Sequence, residues 1–100
     1  APSQNTQTLP DLPITSIMVN GEERFQHHYE GFAFDVPHTA ADGPFYLVTR
    51  GRRVGVFSSW SRTSPHVIGV SHSTYTRARS RNDALIRMLD AINLEEAEWL

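Results

Sequence analysis

Between Gly43 and Trp60 the chain reads GPFYLVTRGRRVGVFSSW, two aromatic and β-branched runs joined by a link of arginine and glycine and closed by a tryptophan. FYLV and VGVF have strand composition, and the short RGRRVG link carries the turn signal of a β-hairpin. Such a hairpin crowds Arg50, Arg52 and Arg53 at one sheet edge. One stretch therefore constrains both the fold and a binding surface.

The residues that follow extend the hairpin into a small module. In SRTSPHVIGV, Ser61 or Ser64 is placed to cap a short helix, Pro65 is tolerated only in its first turn, and Gly69 ends it. STYTRA, about 73 to 78, is a third strand candidate. Ser80 with Asp83 matches a capping box, and Leu85, Met88, Leu89 and Ile92 follow at the spacing of a helix with one apolar face. Asn93 and Glu96 are expected to cap a last amphipathic turn, LEEAEWL. The order strand, strand, helix, strand, helix describes an α+β module in which two helices cover a face that three strands alone leave bare.

Upstream, ITSIMV and RFQHHYEGFAF flank Asn20-Gly21, the dipeptide best suited to a tight hairpin turn, so residues 14–44 are expected to form an extension with an accessory hairpin. VPHTAADGP, rich in Pro, Asp and Gly, marks a boundary before Phe45. Residues 1–13 combine three prolines with polar residues and are read as a flexible tail. One hundred residues suit one small domain. There is no cysteine, hence no disulfide and no thiolate chemistry, and no apolar run of about 18 residues for a membrane span.

Nine arginines and no lysine face eleven acids, but the charges are segregated. Residues 45–92 hold eight arginines against Asp83 and Asp90, a balance of +6, while residues 1–44 and Glu95, Glu96 and Glu98 are acidic. The field that captures a phosphate decays over roughly 8 Å at physiological salt, so this local sign matters more than the net charge of −2. His27 and His28 point to opposite faces of a strand and cannot chelate one metal, and His38, His66 and His72 are isolated in sequence. His72 beside Ser71 and Ser73 lacks the geometry of a nucleophile and base. No catalytic residue, metal site or cofactor is expected, and the acids sit mostly in flanks and helix ends, unlike a carboxylate cluster holding divalent metal.

FYLVTRGRRVGVFSSW, continued through Val67, Gly69-Val70, Tyr75 and Ala84, resembles the N-terminal hybrid-binding domain of eukaryotic type 1 ribonuclease H enzymes and the viroplasmin-like domain of caulimoviruses. The resemblance runs from Phe45 to about Leu89 and implies a three-stranded antiparallel sheet packed with two helices, residues 45–100 forming that module. It further implies non-catalytic binding of RNA/DNA hybrid or double-stranded RNA in an intracellular setting, nuclear or cytoplasmic. Tyr46, Trp60 and Tyr75 match aromatic positions near the sugar-phosphate backbone, and Thr76 and Arg77 match two adjacent lysines that grip phosphate. Arg50, Arg52 and Arg53 add counterion release. Two departures, Thr76 for lysine and Ala78 for an aromatic, support an alternative: a protein-interaction module that keeps the fold and has lost duplex binding. In that reading Phe25, Tyr29, Phe32 and Phe34 of residues 14–44 bury in a homodimer interface.

Overall fold

The computed structural model describes residues 12–100, and the tail expected over residues 1–13 lies almost wholly outside them. β1 (Ile14–Val19) and β2 (Glu22–Tyr29) pair antiparallel across Asn20 and Gly21, whose φ angles are 53° and 81°. Two successive positive φ angles are what a type I′ turn requires, and Asn-Gly accepts them at little cost. The same device at Glu30-Gly31 leads into β3 (Phe32–Val36). After a loop, β4 (Phe45–Gly51) and β5 (Gly55–Ser58) form the expected hairpin. α1 (Trp60–Thr63) runs into a 3₁₀ turn at Ser64–His66, followed by β6 (Thr74–Ala78), α2 (Arg81–Asn93) and β7 (Glu98–Trp99).

The sheet corrects the expected three-stranded architecture: seven strands form one mixed sheet in the order β1-β2-β3-β5-β4-β6, with β7 paired to β4. The extension does not stand apart, because β3 pairs parallel to β5 and carries the sheet onward. The physical reason is a shared apolar face. Phe25, Tyr29, Phe32, Phe34 and Val36 lie on the same side of the sheet as Phe45, Leu47 and Val56, and pack with Ala84, Leu85, Met88 and Leu89 of α2 into one core. Phe34, Val54, Val56 and Met88 are fully buried, each large side chain contributing about 1.5–3 kcal/mol. The final segment also departs from expectation, since Glu98–Trp99 pairs parallel with Arg50–Gly51 instead of continuing as a helical turn.

α2 begins at the expected cap, with the Asp83 amide donating to Ser80 Oγ at 3.1 Å, while the Asp83 side chain reaches one residue past the cap and accepts from the Arg79 amide at 3.0 Å. The Arg79 amide bond holds the Asp83 carboxyl below its ordinary pKa.

The seam between extension and module is narrow and polar. Asp35 is paired with Gly55, and its amide donates to the Val54 carbonyl at 2.8 Å. Gly55, at φ 149°, is the only residue type that fits: a Cβ there would meet the Asp35 carbonyl oxygen at 2.0 Å. The Asp35 side chain, 3 % exposed, accepts from Arg53 Nε and Nη2, the latter at 2.9 Å, and from Gln26 Nε2 at 2.9 Å, with Arg24 Nη1 at 3.6 Å. Beyond this pairing β3 and β5 separate, leaving a cavity of about 780 Å³ lined by Arg24, Val56, Ser58, Ser61, Arg62 and His66.

Candidate functional site

The sheet face opposite α2 carries Tyr46, Tyr75 and Arg77 of the residues singled out from the sequence. Tyr46 is in register with Phe57 of β5 and Arg77 of β6, and Val48 with Tyr75. Side chains alternate across a pleated strand, so Tyr46, Val48, Phe57, Tyr75 and Arg77 share the outer face while Leu47, Thr76 and Ala78 point toward α2. Val48, Phe57 and Val67 form a small second core beneath that outer surface.

Trp60 reaches the same face through a sharp change of direction. Ser59, at φ 69°, turns the chain out of β5; its amide donates to the Pro44 carbonyl at 2.7 Å, and the buried Thr63 hydroxyl donates back to the Ser59 carbonyl at 2.7 Å. With the turn held at both ends, the Trp60 ring lies 5.5 Å from Tyr46 and 5.3 Å from Tyr75, centroid to centroid. These tilted contacts are favourable aromatic geometries. Trp60 remains 39 % exposed and Tyr75 45 % exposed, with Tyr46 half-buried behind them, so the three rings make a contiguous platform whose outer part is open to solvent.

The arginines divide by what their guanidinium groups already hold. Arg53 is turned inward to Asp35 and lies over the Trp99 ring, 5.0 Å from its centroid, so it serves the seam rather than the platform. Arg50 is paired with Glu98 at 2.8 Å, both partners exposed. Arg24 pairs with Glu22 and Asp35, Arg62 lies 3.9 Å from Glu22, and Arg87 pairs with Asp83. Arg81 donates to the carbonyls of Pro37, His38, Thr39 and Ala41, tying α2 to the loop before β4. Among the described residues, Arg52, Arg77 and Arg79 are exposed with no side-chain partner. Arg77 lies beside Tyr46 across the β4–β6 ladder. Arg79 is absent from the residues that the sequence pattern points to; it stands two positions beyond Arg77, in the bend between β6 and α2.

The geometry also relocates two features. Thr76 is in register with Leu47 on the α2 side, so its side chain does not join the platform. Phe34 is fully buried, and Phe25, Tyr29 and Phe32 pack against the same core, so the rings assigned to a homodimer interface are occupied within their own chain. His27 lies against Phe34 and His28 meets Thr15 Oγ1 at 3.0 Å on the other face. Among the described residues, no three His or acidic side chains are grouped to hold a metal, and no helix is long and apolar enough to cross a membrane.

An open ring platform beside unpaired guanidinium groups can contact sugars and bases through the rings and phosphate oxygens through forked N–H donors. A comparison with known families finds that residues 44–85 match the model described as Ribonuclease H1 N-terminal domain. The matched stretch runs from the approach to β4 into the first turns of α2 and includes the whole platform. No curated protein and no solved structure matches the chain.

Proposed function

We propose that the ribonuclease H1 N-terminal domain carried by residues 44–85 makes this chain a non-catalytic module that binds RNA/DNA hybrid or double-stranded RNA. The observation that carries the reading is the Tyr46–Trp60–Tyr75 platform, open to solvent, with Arg77 at its border. A-form-like duplexes present a wide, shallow minor groove with 2′-hydroxyls, which a small exposed surface reads by shape and sugar rather than by sequence. Arg52 supplies a further unpaired cation at the β4–β5 tip, and Arg50 joins it when phosphate displaces Glu98. Three of the acids are engaged within the fold: Asp35 at the seam, Asp83 at the cap of α2 and Glu98 with Arg50.

Titration of hybrid, RNA and DNA duplexes over a range of salt tests the proposal. Hybrid and RNA duplex are expected to bind ahead of DNA duplex, with affinity falling steeply as salt rises. Trp60→Ala is expected to weaken hybrid binding by about 1–3 kcal/mol, the scale of one lost stacking contact. Equal affinity for all three duplexes, or binding indifferent to salt, would overturn it.

A further inference from the structure

We infer that Arg79 is a second phosphate-binding cation, acting with Arg77 as a two-point clamp on successive phosphates of one strand; this rests on the duplex-binding reading above. The family resemblance expects a cation at position 76, but this chain has Thr76, and the register sends that side chain toward α2. β6 ends at Ala78 and the chain bends at Arg79 and Ser80, so Arg79 is the first residue after the strand, two positions beyond the outward-facing Arg77. Ala78 is buried in register with Phe45 on the α2 side, and Ser80 already caps α2. Arg79 thus stands exposed at the β6–α2 junction, two residues from Arg77 and within reach of a neighbouring phosphate on the same strand.

Two observations fit Arg79 for the task. Its guanidinium is exposed and has no partner among the described residues, whereas Arg81 and Arg87 on the following helix are engaged. Its backbone is held, because its amide donates to Asp83 Oδ2 at 3.0 Å, so the side chain projects from a fixed point at the start of α2. A cation on an anchored main chain loses less freedom on meeting a phosphate than one on a loose loop. Since that bond uses the main chain, replacing the side chain leaves the cap of α2 in place.

The test compares hybrid-duplex affinity across salt for the whole chain and the variants Arg77→Ala, Arg79→Ala, Arg79→Lys and Arg87→Ala. One phosphate contact changes affinity as salt concentration to the power of about 0.9. Arg79→Ala is thus expected to reduce the salt slope by about 0.9 and to weaken binding about eightfold at 0.1 M salt. Arg79→Lys should keep the slope, and Arg87→Ala, which removes an equal charge away from the strand, should leave it unchanged. The clamp is overturned if Arg79→Ala binds with the original slope while Arg77→Ala does not, or if Arg87→Ala lowers the slope as much. If the unmodified chain binds no duplex, the functional reading fails and the clamp fails with it.

Discussion

His66 shows how one side chain registers its surroundings. It is buried against Phe57, with ring centroids 4.9 Å apart, and burial is the largest cause of a pKa below the ordinary 6.5, with Arg24 the next. Asp35 opposes the shift and Arg53 adds to it. The folded chain thus binds a proton at His66 less readily than the unfolded chain does. The stability that the neutral ring contributes is complete above pH 6.5 and is lost as pH falls from there through the folded-state pKa. Urea unfolding at pH 7.5, 6.5 and 5.5 should show this decline, and His66→Gln should flatten it. An equal decline in the variant would assign the effect to other groups.

At the scale of elements, the decisive junction is β3 against β5. A single parallel residue pair joins them, and the buried carboxylate of Asp35 gathers Arg53, Arg24 and Gln26 around it. Removing one partner of a buried pair leaves the other charge uncompensated, at a cost of about 3–5 kcal/mol. Asp35→Ala is therefore expected to lower unfolding free energy by about that amount, read from urea titration. A loss of only a few tenths of a kcal/mol would show that Arg53 finds water on its own and that the seam is held by apolar packing alone.

For the molecule as a whole, the sheet is one curled body that runs across the seam, and α2 packs on core residues from both sides of it. Phe34 and Val36 fill the core under α2, so residues 45–100 expressed alone should unfold at markedly lower urea than the whole chain, as followed by tryptophan fluorescence. An equal midpoint would mean that the module needs nothing from the extension. Much was legible in the order of residues: the β4–β5 hairpin, the Asn20-Gly21 turn, the Ser80 cap and the apolar stripe of α2 all arise from interactions between near neighbours. The aromatic positions of the candidate site were legible too, through the spacing of FYLV, Trp60 and Tyr75. What tertiary structure alone decided was non-local. Phe34 lies in the core and not in an interface, Arg53 faces Asp35 and not solvent, and Glu98–Trp99 extends beside β4, because each depends on a partner remote in the chain. Periodicity tells which residues share a face of one strand; only the assembled sheet determines which charges on that face meet an opposite charge and which, like that of Arg77, remain free among the described residues.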